Sequence, residues 1–251
     1  MSTPALELVR PPVDGPCAAA FTTRTGGSSG GRYAALNLAG TVGDAPGAVR
    51  ANRALVCARL DIDAAQVRVG TQVHGTLVRP ARAAVGGGFL DPAHRWPVGD
   101  GLISDDPGAA VGVFGADCLP VLLWHRKRPL VAAVHAGWRG LVDGILEAAV
   151  DALGGGAGLG AAIGAGVGPC CYPVSAEVRD RFAARFGRGV VRGRAVDLAD
   201  AARTALTHRG VPRSAVWVLG SCTSCEPDRW FSFRRDGAPT GRQAGFIWPT
   251  R

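Results

Sequence analysis

Short apolar runs closed by Gly, Pro or charged residues recur along the chain. Ala18–Thr22, Val67–Gln72, Ala110–Phe114, Pro120–Trp124, Leu130–His135, Ala215–Leu219 and Trp230–Arg234 predict strands, being short and rich in Val, Leu and aromatic side chains. Helical spacing is found in four segments. Pro46–Leu60 follows Asp44, a candidate N-cap, and carries Pro46 in its first turn. Leu141–Leu153 is the second, and Ala176–Phe186 behind Ser175 is the third, with Val178, Phe182 and Phe186 on one face. Leu198–His208 is opened by Asp197 and closed by Gly210. Strands in groups with helices between them predict an α+β domain with mixed sheets, not a doubly wound parallel sheet. No repeat and no linker divides the sequence, and the glycine clusters Gly86–Gly88 and Gly154–Gly158 read as loops. Residues 1–251 therefore read as one domain, with the first ~15 residues peripheral.

Composition narrows the function classes. Hydrophobic residues make up 47% and charged residues 19% of the 251, a globular balance. The formal charge is +8, yet Lys127 is the only lysine and the arginines are scattered. No basic run exceeds Arg126–Arg128, and aromatics are 6%, which argues against a nucleic-acid partner. Met1–Arg10 lacks a basic stretch followed by an apolar one, so no secretory signal is expected. The uncharged run Ala152–Ala176 is glycine-rich from Gly154 to Gly168, a poor membrane helix. Seven cysteines, an odd number, fit free thiols or metal ligands in the cytoplasm.

The most informative stretch is Gly112–Gly140, two apolar runs around the charged turn His125–Arg128. Pairing the strands about that turn sets Cys118 opposite His135 on one face. A thiol beside an imidazole has two functional readings: a nucleophile with its base, or two ligands of a catalytic zinc. The bland alternative is a buried cysteine near a satisfied histidine. Asp117 before the cysteine, and Gly137, Trp138, Arg139 and Gly140 after the histidine, make an anion-receiving corner. His74, in Gln72-Val73-His74-Gly75, is a further ligand candidate, whereas His94, His125 and His208 have plain explanations in a loop, a turn and a helix end. Cys222-Thr223-Ser224-Cys225 with Cys170-Cys171 invites a structural-zinc reading. One Cys-x-x-Cys unit is half the usual signal, so idle or buried thiols are expected. Arg24 sits in the Gly/Ser turn Thr23–Ser28, and Arg234, Arg235 and Arg242 in a C-terminal turn whose simplest reading is a solvated basic loop.

Together these segments resemble one family. They are Thr23-Arg24-Thr25-Gly26-Gly27-Ser28, Leu36-Asn37-Leu38, Val42-Gly43-Asp44, Asn52-Arg53, Gln72–Gly75, Ala116-Asp117-Cys118-Leu119-Pro120-Val121, His135-Ala136-Gly137-Trp138-Arg139-Gly140, Gly168-Pro169-Cys170-Cys171-Tyr172, Arg234–Gly237 and Thr240–Gln243. From about residue 18 to 249 the chain is similar to the YfiH/YlmD family, once called multicopper polyphenol oxidases or laccase-domain proteins and now regarded as purine nucleoside phosphorylases. The resemblance implies a four-layer αββα fold, a monomer, and zinc held by His74, Cys118 and His135. It implies phosphorolysis of adenosine, inosine, guanosine and S-methyl-5′-thioadenosine, with adenosine deamination as a second activity. Arg24, Arg139 and Arg242 become candidates for a phosphate cradle, Asn37 and Gln72 for substrate contacts, and Asp100 and Asp117 for proton transfer or for orienting a ligand. Gly115, Ala165 and Pro173 depart from the family's usual Thr, Pro and Glu, and none is a proposed ligand. Two rival enzyme readings can be weighed. A metal-free thiol hydrolase would use Cys118 and His135 alone. A copper polyphenol oxidase would need more imidazoles than five, with no His-x-His pair present, although copper taken up in vitro at the same trio could give weak activity.

Overall fold

The hairpin expected around His125–Arg128 forms, its centre one residue further on than its charge pattern suggests. The computed structural model describes residues 5–83 and 88–250, so Gly86 and Gly87 of the first glycine cluster lie outside it. The strands are β1 (Leu8–Val9), β2 (Cys17–Thr22), β3 (Val67–Val69), β4 (Val78–Pro80), β5 (Gly101–Ser104), β6 (Ala110–Gly115), β7 (Leu119–His125), β8 (Val131–Ala136), β9 (Leu159–Ile163), β10 (Val191–Arg192), β11 (Ala195–Val196), β12 (Val216–Val218) and β13 (Gln243–Pro249). The helices are α1 (Pro46–Leu60), α2 (Trp138–Asp143), α3 (Ile145–Ala152), α4 (Ala176–Phe186), α5 (Leu198–His208) and α6 (Phe233–Asp236).

Two mixed sheets lie face to face. One has the order β1-β2-β13-β6-β3, the other β12-β9-β7-β8-β5-β4, and β10-β11 form a separate ribbon. Alternation along the strands sorts the core into three layers. Val121 and Leu123 of β7 and Ala132 and Val134 of β8 face a cluster with Leu141, Ile145, Leu146 and Phe182 of the helices. Leu122, Trp124, Val131 and Ala133 point the other way, against Phe21, Val111, Val113 and Ile247 of the second sheet. Beyond that sheet, Ala20, Val67, Ala110 and Phe246 pack under Val56, Cys57 and Leu60 of α1. Helices thus cover both outer faces and the layers run αββα, the expected α+β architecture with mixed sheets. Among the described residues, no helix is long and apolar enough to cross a membrane.

Several elements differ from expectation for local reasons. The helix expected as Leu141–Leu153 starts at Trp138 and breaks at Gly144, whose φ of 99° no helix interior accommodates. Asp44 does not cap α1 from the N-cap position, which Ala45 holds. Its carboxylate instead accepts from Ala45 N, Ser29 Oγ and Asn37 Nδ2, tying two loops together. Trp230–Arg234 is not a strand. The Gln243 side chain takes the place of a strand partner for Phe231, accepting its N–H and donating to its carbonyl, and Ser232 then caps α6. The apolar C-terminal run Gln243–Pro249 forms β13, the middle strand of the five-stranded sheet.

Candidate metal centre and its cavity

In the β7–β8 hairpin, Pro120 lies opposite His135 and Leu119 opposite Ala136. Pro129, which has no N–H to donate, joins the loop, and His125 N bonds Leu130 O across it. The register is therefore two residues from that expected. An even slip preserves the side-chain face. Cys118, immediately before β7, still shares with His135 the side that faces the other sheet.

His74 arrives from elsewhere. Beyond β3, the Gln72 amide brackets Phe114, donating to its carbonyl and accepting its N–H, each at 2.8 Å. The next turn places His74 at φ 62°, a left-handed conformation that is uncommon outside glycine. Asp100, fully buried immediately before β5, holds it there. The Asp100 carboxylate accepts from Val73 N at 3.1 Å, His74 N at 2.9 Å and Gly75 N at 2.9 Å. Its Oδ1 is also 2.8 Å from His135 Nδ1. That bond fixes Nδ1–H as donor and leaves Nε2 as the ring nitrogen available to a metal once its proton is released.

The result is a convergent trio: one donor atom each from His74, Cys118 and His135, all within 4.8 Å of one another. The imidazole rings meet edge to face, 4.9 Å between centroids. Burial pushes the Cys118 thiol up, but hydrogen bonds and charge from His135 and His74 more than reverse it, bringing it to about 6. Burial pushes His135 down, while Asp100 and Cys118 raise it to about 9. Asp100 is pushed up by burial and brought below the ordinary carboxylate range by His135 and the Gly75 and Val73 amides. Two nitrogens and a thiolate sulfur in this arrangement match the donor set and count of a catalytic zinc site with one open position.

The trio opens on a cavity of about 760 Å³. Phe114, Tyr172 and Phe233 supply aromatic surface to it, and Arg234 and Arg242 supply guanidinium groups. Arg234 stacks over Tyr172 at 4.9 Å. Arg242 has its N–H anchored on Asn37 Oδ1 and its side chain on the carbonyls of Thr240 and Gly241.

The other expected residues fall into distinct places. Asp117, at φ 94°, turns its carboxylate away into a buried knot, accepting from Thr223 Oγ1 at 2.6 Å, Ser232 Oγ at 2.7 Å and Arg234 N at 2.5 Å. Asn37 is fully buried and spends its amide on Ala39, Asp44 and Arg242. Arg24 is not brought to the cavity: it donates to Ala34 O and Pro227 O, both at 2.8 Å, with its guanidinium over the Phe231 ring. Arg139 is exposed and stacks on Trp138, also outside the cavity lining. Arg234, Tyr172 and Phe233 join the cavity without being expected site residues. The signal available was their place beside the cysteine pair and in the arginine-rich turn.

The chain matches the family model described as multi-copper polyphenol oxidoreductase laccase over residues 18–250. It is 35% identical over 251 residues to the purine nucleoside phosphorylase YlmD of Geobacillus stearothermophilus, an alignment covering 94% of this chain and 91% of that protein. With the purine nucleoside phosphorylase YfiH of Escherichia coli it shares 35% identity over 238 residues, 92% of this chain and 93% of the relative. A crystal structure of a Neisseria meningitidis protein superposes with a TM-score of 0.86 at 34% identity, covering 99% of this chain and 100% of that one.

Proposed function

The chain belongs to the multi-copper polyphenol oxidoreductase laccase family, and from that premise we propose that it is a zinc-dependent purine nucleoside phosphorylase. Its substrates are adenosine, inosine, guanosine and S-methyl-5′-thioadenosine with inorganic phosphate, and adenosine deamination is a second activity. It works as a monomer in the cytoplasm, in keeping with seven unpaired cysteines. The observation that carries the reading is the His74–Cys118–His135 trio opening on a cavity lined by aromatic rings and by arginines, Arg234 and Arg242 among them.

Phosphorolysis joins a phosphate oxygen to the ribose C1′ while the bond from C1′ to the purine nitrogen breaks. The bonding electrons leave with the base, which takes up a proton. Arg242 and Arg234 are the residues proposed to hold phosphate, since a guanidinium fork suits its oxygens. Phe114, Tyr172 and Phe233 offer flat apolar surface for a purine. Asp100 is a positioning residue: four donors occupy its carboxylate, and through them it sets both imidazoles. Asp117, similarly occupied, positions Arg234 through its backbone N–H. When bound by the trio, zinc supplies a Lewis acid with one open position.

The test is product analysis of adenosine and inosine incubations with and without phosphate. Phosphate-dependent release of adenine and hypoxanthine supports phosphorolysis, inosine formed from adenosine supports deamination, and unchanged substrates sink both. The lowered Cys118 thiol favours one second reading, a metal-free thiol hydrolase. A chelator would leave that enzyme active and an alkylating reagent would kill it. The copper oxidase reading gains no ligands: among the described residues the metal-capable groups are this trio and one set of four cysteines, too few imidazoles for several copper centres.

A further inference from the structure

The four cysteines that sequence reasoning left idle are brought together by the pairing of two strands. β9 and β12 run parallel and adjacent, so their C-terminal loops leave the same end of the sheet. A bridge between Gly166 and Cys222 locks those loops side by side. Cys170 and Cys171 lie on the first loop, Cys222 and Cys225 on the second. All four sulfurs lie within 4.8 Å of one another, with Cys225 Sγ 3.5 Å from Cys170 Sγ and 3.4 Å from Cys171 Sγ.

A tetrahedral zinc with Zn–S bonds near 2.3 Å sets its sulfurs about 3.8 Å apart, the spacing this cluster approximates. An iron–sulfur cluster interposes iron and sulfide between its cysteines and needs a wider cage. We propose that Cys170, Cys171, Cys222 and Cys225 form a second metal site, a tetrathiolate centre for a divalent thiophilic cation of the zinc type. Each thiol that binds gives its proton to solvent.

Two further observations support the site. Cys222 Sγ accepts the backbone N–H of Gly168 at 3.2 Å, and the amides of Cys225 and Ser224 also point to it. Space is also kept for the cluster, since a Cβ on Gly168 would come 3.2 Å from Cys170 Sγ and 3.3 Å from Cys222 Sγ.

The site shares no residue with His74, Cys118 and His135. It clamps the cavity wall instead: Tyr172 follows Cys171, and Thr223, which donates to Asp117, follows Cys222. Its test therefore stands apart from the proposed catalytic function. Metal content and the Co(II) spectrum would be measured on protein purified under reducing, anaerobic conditions. The chains compared are wild type, His74→Ala/His135→Ala, and Cys222→Ser/Cys225→Ser. The double-histidine variant is expected to keep one zinc per chain and, after exchange, intense thiolate-to-cobalt absorption. The double-serine variant should lose half the zinc of the wild type and keep only the weaker absorption of the single Cys118 thiolate. Should it precipitate, Cys225→Ser alone, at an exposed position, replaces it, with far-UV circular dichroism as the fold control. A double-histidine variant devoid of zinc, cobalt binding without thiolate absorption, or thiols that resist alkylation because they are disulfide-bonded would each overturn the site.

Discussion

Asp100 and His135 are joined Oδ1 to Nδ1 at 2.8 Å, and the same carboxylate accepts the N–H groups of Val73, His74 and Gly75. One buried side chain thus sets the tautomer of one ligand and the left-handed backbone of another. Neither imidazole needs reorganisation to meet an incoming ion.

Asp100→Asn tests that coupling. Asparagine offers one acceptor oxygen where four donors converge, so at least one donor is left unmet and the His135 tautomer is released. The affinity of the trio for zinc is expected to fall by about 10–100-fold, the usual effect of removing such a partner of a ligating histidine. Competition against a chromophoric chelator reads it directly. An affinity equal to wild type would mean the carboxylate only fills space.

How much of this was legible in the sequence depends on whether the signal is local. Helical spacing placed α1, α4 and α5, the last two with the caps Ser175 and Asp197, and the hairpin put Cys118 and His135 on a common face, because a two-residue slip leaves parity intact. The slip itself was hidden because Pro129 extends the loop past its charged residues. Asp117, Asn37 and Arg24 stand in motifs that look like site chemistry, yet each is engaged by partners distant in sequence, such as Thr223, Arg242 and Pro227. The four-cysteine grouping was visible as a weak signal only, since an adjacent pair and one Cys-x-x-Cys unit converge through the β9–β12 pairing, which local spacing does not reveal.

Protons compete for the trio. Without metal, Cys118 titrates at about 6 and His135 at about 9, so at pH 7 the pair is thiolate and imidazolium. Binding must expel the imidazolium proton. The pair therefore adds a slope of about one in log affinity per pH unit between pH 6 and 9, rising below 6 where the thiol proton must also leave, and flat above 9. Calorimetry in buffers of different ionisation heat, on the Cys222→Ser/Cys225→Ser chain to silence the other thiols, measures the released protons. No release at pH 7 would contradict the ion-paired state.

The arginines should separate by role. Arg242 opens on the cavity, so Arg242→Ala is expected to raise the phosphate KM by roughly 10–150-fold, equivalent to one charge-assisted hydrogen bond of about 1.5–3 kcal/mol. Arg24 instead satisfies two loop carbonyls and covers Phe231. Arg24→Ala should lower the melting temperature while the phosphate KM stays near wild type. Saturation curves in phosphate at fixed inosine, beside thermal melts, distinguish them, and equal phosphate KM effects from both would move Arg24 into the anion site.

Gly137 offers the sharpest steric test. It follows His135-Ala136 and precedes α2 with φ of −75°, a conformation any residue can adopt, so backbone strain does not explain a glycine there. Space does. A Cβ at 137 would lie 2.9 Å from His74 Cδ2 and 3.1 Å from Cys118 Sγ, driving two ligands of the trio apart. Relief requires the ligand side chains to leave their positions, at about 1–3 kcal/mol for overpacking a tight site. Gly137→Ala should therefore keep its far-UV circular dichroism spectrum and weaken zinc binding by roughly 5–150-fold, that same energy expressed as an affinity ratio. Retention of full affinity, with the fold intact, would show that the trio does not close on a shared ion in the geometry seen around Gly137.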